Sequence, residues 1–119
     1  MEQKTDFMDG LTSVFPLSNK DGSLKYALIF DLDAPVELAG GHILIPFSWE
    51  LGPTGVPKHS RLRITFNAAA RLKEMSGYTR WNEIHRMLQY KYVRAPTVFF
   101  PADGHLNIES ADLDNPLSK

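Results

Sequence analysis

The spacing of apolar residues changes near the middle of this chain, and that change limits the folds available to it. From Lys25 to Phe66 the apolar residues recur at every second position in three separate runs. From Ala68 to Leu88 they recur at spacings of three and four residues. A period of two is typical of half-buried strands, and a period near 3.6 is typical of amphipathic helices. The sequence therefore predicts strands first and a pair of helices after them.

The three alternating runs predict antiparallel strands joined as a meander. Their predicted inward residues are Tyr26, Leu28, Phe30 and Leu32, then Ile43, Ile45, Phe47 and Trp49, then Leu62, Ile64 and Phe66. Pro46 removes a backbone donor from the second run, which predicts that strand 42–49 lies at a sheet edge or contains a bulge. An open apolar edge would be able to pair with a second copy, so a homodimer through strand 42–49 is one hypothesis.

Two helices are predicted after the strands. Asn67 is a suitable N-cap for a first helix over 68–75, and Thr79 for a second helix that runs to about Tyr90. On the second helix Trp81, Ile84, His85 and Leu88 are predicted to face inward, and Arg80, Glu83 and Arg86 outward. A hairpin is predicted from 97–100 through a turn at 101–104 to 105–109. Residues 11–17 fit a strand or a helical turn equally well.

The order β-β-β-α-α-β-β predicts an α+β fold, with two helices packed on one face of an antiparallel sheet. The 119 residues fit one domain, with an ordered core over roughly 7–109 and a polar C-terminal tail over 110–119. No apolar run approaches the roughly 18 residues of a membrane span, and the N-terminus lacks the pattern of a secretory signal. Together with the absence of cysteine, these features predict a cytoplasmic protein.

Positive charge is concentrated in one part of the chain. Residues 58–94 hold nine Lys and Arg against two Glu, whereas residues 1–57 hold three Lys against eight acids. Such clustering indicates either a surface for an anionic partner or neutralisation by the acidic flanks within the molecule. The predicted partner-binding residues are Arg61, Arg63, Arg71, Arg80, Arg86, Lys91 and Arg94.

The leading functional hypothesis is a small non-enzymatic binding protein, of the regulator or inhibitor type. Its basic segment would engage nucleic acid or an acidic face of another protein, with tyrosines and tryptophan near the arginines available for base stacking. The small size, the lack of an enzyme motif and the divided charge also suit a protein encoded by a mobile element. No cofactor and no metal site is predicted, because the four histidines lack ligand spacing.

The alternative hypothesis is a small enzyme or ligand-binding protein. Its pocket would lie between the sheet and the helices, lined by Tyr26, Trp49, Trp81 and Tyr92. The segment ALIFDLDAP at 27–35 resembles the opening motif of haloacid-dehalogenase-like phosphatases. The resemblance implies a nucleophilic Asp31, an acid/base Asp33 and a magnesium ion. Pro35 departs from that motif and the similarity covers only a few residues, so we interpret the segment as an amphipathic strand that ends in solvated carboxylates.

Overall fold

The structure is a computed structural model that describes residues 7–33, 36–51, 58–94 and 105–114. Over these residues a six-stranded sheet packs against helices on one face, which confirms the predicted α+β class. The strands are β1 Val14–Ser18, β2 Leu24–Phe30, β3 Glu37–Ala39, β4 His42–Leu51, β5 Lys58–Thr65 and β6 His105–Ile108. The helices are α1 Phe66–Lys73, α2 Gly77–Gln89 and α3 Ser110–Asp114, and a π-helical turn over Tyr90–Arg94 continues α2.

The predicted meander of β2, β4 and β5 is confirmed, with β4 at its centre. Along one side β4 pairs with β3 and then β2, and along the other it pairs with β5, always antiparallel. The prediction that 42–49 forms a sheet edge is therefore wrong, and a homodimer cannot form by strand pairing there. Pro46 is tolerated in this strand because it lies between the part paired with β3 and the part paired with β2, where the ladder on that side is already interrupted.

The two ends of the chain add strands to the meander. The N-terminal segment, for which strand and helical turn were both open, forms β1 and pairs antiparallel with β2. β6 pairs with β5 in parallel, so the sheet is mixed rather than wholly antiparallel. The predicted strand 97–100 and the turn at 101–104 lie outside the described residues. Helix α3 occupies 110–114, which the sequence assigned to a polar tail.

Both long helices begin earlier than the sequence predicts. The Thr65 hydroxyl accepts a hydrogen bond from the N–H of Ala68 at 3.2 Å, so Thr65 rather than Asn67 caps α1. The Ser76 hydroxyl accepts one from the N–H of Thr79 at 3.3 Å, so Ser76 caps α2. Each cap satisfies one of the helix N–H groups that lack a partner within the helix.

The apolar core lies between the sheet and α2. Trp81 on α2 makes edge-on contacts with the rings of Phe7, Phe15 and Phe30 at centroid distances of 5.8–6.0 Å. Two predicted core residues are exposed instead: Leu32 lies beyond the end of β2, and Phe66 is the first residue of α1. Within the described ranges no helix has the length and apolar character needed to cross a membrane.

Side chains from α2 and its π-helical continuation cover both outer edges of the sheet. On β1, Gln89 accepts from the N–H of Ser18 at 3.0 Å and donates to the carbonyl of the same residue. On β6, the N–H of Asn107 donates to the Tyr92 hydroxyl at 2.9 Å, and Lys91 donates to the Asn107 carbonyl at 2.7 Å. The sheet therefore curls around this helix, and the edge strands β1 and β6 are occupied at these positions.

Candidate binding surface

The seven basic residues predicted to bind a partner do not form one surface. Arg61 and Arg63 lie on β5, on the sheet face that points away from the helices. Arg71 and Arg86 lie on the outer sides of α1 and α2, and Lys91 and Arg94 lie on the π-helical turn, while Arg80 is buried. These residues were grouped in the prediction only because they lie close together along the chain.

Arg80 has a structural role. Only 4% of it is exposed, so the prediction that it faces outward is wrong. Its guanidinium donates to the carbonyls of Leu72 at 3.0 Å and Met75 at 3.0 Å, at the end of α1. It also donates to the carbonyl of Phe7 at 2.6 Å and lies over that residue's ring. The guanidinium thus places a charged donor among the carbonyls at the end of α1, where the helix macrodipole is negative.

Three other basic residues are engaged by acids of the same chain. Arg71 contacts Asp114 of α3 at 2.9 Å, and Arg86 contacts Glu83 of its own helix at 3.2 Å. Lys91 contacts Asp112 at 3.0 Å. Partly exposed pairs of this kind contribute little to stability, but they do reduce the charge presented to a partner. Much of the basic segment is therefore neutralised within the molecule.

Arg61 and Arg63 are placed differently, on the sheet face opposite the helices. They alternate along β5 with Leu62 and Ile64, which are fully buried against the helix side. The Nε atom of Arg61 lies 3.8 Å from the Glu37 carboxylate, and both side chains are about half exposed. Arg63 makes no ion pair within the part of the chain that the structure describes.

The outer sheet face carries a shallow groove beside Arg61. Its volume is about 430 Å³, and its lining residues are Ile29, Phe30, Asp31, Pro46, Phe47, Ser48, His59, Ser60 and Arg61. Strand register explains its position, because Ile29, Ser48 and His59 form one cross-strand row and Pro46 and Arg61 form the next. The groove therefore begins where β2 leaves the sheet after Phe30.

The groove combines charged and apolar groups. Asp31 lies at one end, with its carboxylate accepting a hydrogen bond from the N–H of Asp33 at 3.0 Å in an exposed turn. His59 and Arg61 lie at the other end, and Ile29 and Pro46 contribute the apolar part. Among the described residues no group of three His, Asp or Glu side chains is placed to hold a metal ion. The arrangement suits contact with an anionic group that has an apolar neighbour.

Of the four aromatic residues predicted to line a pocket, three belong to the core and Trp49 packs against it. Tyr26, Trp81 and Tyr92 are buried, and burial raises the pKa of the Tyr26 hydroxyl. Tyr26 stacks edge-on against Trp49 at 5.8 Å, whereas Trp81 belongs to the separate ring cluster around Phe15. The four side chains do not converge on the described groove, and a second cavity of about 230 Å³, between β1 and α2, includes only Trp81 of them.

Several residues of the groove were not identified from the sequence. Ile29, Pro46 and Ser48 each lie at an outward position of a predicted strand, so their direction was implied by the alternation. His59 was assigned to the loop before the third predicted strand, whereas β5 begins at Lys58 and includes it. Their adjacency depends on strand register, which the sequence pattern does not specify across long connections.

A scan against protein-family models, a search of curated proteins and a search of solved structures each found no match.

Proposed function

We propose that this chain is a small binding protein of the regulator or inhibitor type, which acts in the cytoplasm and engages an anionic group of its partner through the outer face of its sheet. The binding surface consists of His59, Arg61 and Arg63 on β5 together with the adjoining groove. We call it the β5 face.

One observation carries the proposal: the basic residues differ in how strongly the chain itself engages them. Arg71, Arg80, Arg86 and Lys91 each have a closest contact with an acid or a carbonyl of 2.6–3.2 Å, and Arg80 is also buried. Arg61 has only a 3.8 Å contact with an exposed carboxylate, and Arg63 has no ion pair within the described ranges. Arg61 and Arg63 lie two residues apart on the same face of β5, so their side chains are neighbours and can bind one ligand together.

The test is binding of labelled anionic probes, with charge-matched variants. Single-stranded DNA, duplex DNA and an acidic peptide would be titrated at about 50 and 200 mM salt, because contacts between charges weaken as salt rises. The variant Arg61→Gln/Arg63→Gln removes two charges from the β5 face. The control Arg71→Gln/Arg86→Gln removes the same two charges from the helices, and the buried Arg80 is left intact in both.

The proposal predicts that at least one probe binds at low salt and that the β5-face variant weakens this binding about tenfold or more, whereas the control stays within about twofold. Circular dichroism of each variant checks that the fold is retained. Equal losses in the two variants would show that only net charge matters. Absence of binding to every probe at low salt would rule out the proposal.

A further inference from the structure

We infer that the ligand of the β5 face is an extended acidic segment of another protein, with an apolar side chain beside its carboxylates. The inference rests on the proposed function and names the class of partner. It follows from the pattern of side chains across the outer sheet face, from the position of the exposed aromatic rings and from the occupied strand edges.

The outer face is divided into a basic half and an apolar half. Arg61 and Arg63 lie on β5, and cross-strand register places Pro46 and Leu44 opposite them on β4. One strand further, Ile29 lies beside Val14 of β1, and these two side chains are 38% and 50% exposed. A ligand on this face therefore meets two guanidinium groups on one side and exposed apolar surface on the other, with the groove between them.

Strand geometry sets the spacing that a ligand must match. Alternate residues on one strand face are separated by roughly 6.6–6.8 Å, so Arg61 and Arg63 present their charges at about that interval. An extended peptide has the same repeat, and carboxylates at its alternate positions would reach both arginines. In such a peptide, a leucine-sized side chain two residues before the first carboxylate would then lie over the groove near His59 and Ile29.

A nucleic-acid strand fits this surface less well, because the groups that would stack on bases are elsewhere. Trp81 and Tyr92 are buried, while Tyr78 and Tyr90 are exposed on α2 and its continuation, on the other side of the sheet. The carboxylates of Asp31 and Glu37 flank Arg61, so the positive charge on this face does not form a continuous track for a long run of phosphates. Stacking and continuous positive charge are the usual basis of single-strand binding, and the described part of this face offers neither.

The partner is expected to lie on the face rather than to extend the sheet at β1 or β6. Ser18 on β1 is bonded by Gln89 through both its N–H and its carbonyl, and Asn107 on β6 is bonded by Tyr92 and Lys91. An added strand would have to displace these side chains before it could pair. Contacts on the β5 face require no such rearrangement.

Three labelled probes test the inference in the same titration. The first is a short peptide with Leu, Asp and Asp at alternate positions separated by Ser, the second has Ser in place of Leu, and the third is single-stranded oligothymidylate. We expect the first peptide to bind about tenfold more tightly than the second, because one apolar side chain is removed from water. Ile29→Ser should abolish that difference without affecting the second peptide.

Glu37→Gln tests the inference through an increase in affinity. A variant that fails to fold would lose affinity and could not give this result. This change removes the carboxylate near Arg61 and should tighten both peptides about threefold or less, as expected for a weak exposed pair. Oligothymidylate bound more tightly than the peptides, with loss in Arg61→Gln/Arg63→Gln, would overturn the inference and leave the proposed function intact. Equal affinity of the two peptides would also overturn it. Failure of all three probes would instead remove the proposed function itself.

Discussion

At the scale of single residues, the charge of Arg80 is used to join parts of the chain and not to bind a partner. Its donors reach carbonyls at the end of α1 and the carbonyl of Phe7, so one side chain links a helix end, the next helix and the N-terminal segment. The sequence contained a signal for this, since Arg80 lies four residues before the buried Ile84 and shares its helix face. The prediction that Arg80 faces outward relied on its charge.

Replacement of Arg80 by Met should destabilise the protein by about 2–4 kcal/mol, because several buried or partly buried carbonyls would lose a charged donor. Arg86→Met is the matched control on the same helix, where the arginine is about half exposed and pairs with Glu83. Urea unfolding of both variants measures the difference. Similar midpoints for the two would contradict the structural role of Arg80.

At Gly77 two physical effects predict opposite changes in stability when the glycine is replaced by alanine. Helix propensity alone predicts that Gly77→Ala, at the first residue of α2, would stabilise the chain by up to about 1 kcal/mol. A Cβ at this position would instead overlap the main-chain carbonyl of Asp9, whose carbon would be only 2.7 Å away. We therefore expect a loss of about 1–3 kcal/mol. An increase in the thermal midpoint would show that the N-terminal segment does not approach α2 this closely.

At the scale of elements, the alternation of apolar residues located the three strands of the meander, because burial of one sheet face imposes a period of two on the sequence. The same pattern could not identify β3, whose three residues are all exposed. It could not show that β6 pairs in parallel, since that depends on the path of the chain between the π-helical turn and β6. Pro46 led to the wrong prediction of an edge strand, because a proline is also tolerated in a central strand where the pairing on one side is interrupted, here between β3 and β2.

The covering of the β1 edge by α2 can be tested at Gln89. In Gln89→Met the N–H and carbonyl of Ser18 lose their partner, and we expect about 1–2 kcal/mol of destabilisation. The opened edge should also promote self-association that rises with protein concentration, measurable by analytical ultracentrifugation. Asn82→Met adds the same side chain to an exposed position of α2 and serves as the control. A Gln89→Met protein that matches this control in both measurements would contradict the covering of the edge.

At the scale of the whole molecule, basic residues that are clustered along the chain lie in several separate places in the structure. Acids from α3 and α2 engage Arg71, Arg86 and Lys91, while β5 carries Arg61 and Arg63 to the opposite side of the molecule. The sequence analysis included these two arginines among seven candidates. It could not separate them from the others, because pairing between charges depends on contacts between residues far apart in the chain.

The measurement that tests the central claim most directly is residue-resolved mapping of the binding surface by NMR. Amide correlation spectra would be recorded while the peptide with Leu, Asp and Asp is added to millimolar concentration. We predict that the largest shifts fall at Ile29, Ser48, Arg61 and Arg63, and that amides of α2 around Arg86 and Tyr90 do not move. Shifts concentrated on α1 and α2, or a spectrum that stays unchanged throughout the titration, would contradict the assignment of binding to the β5 face.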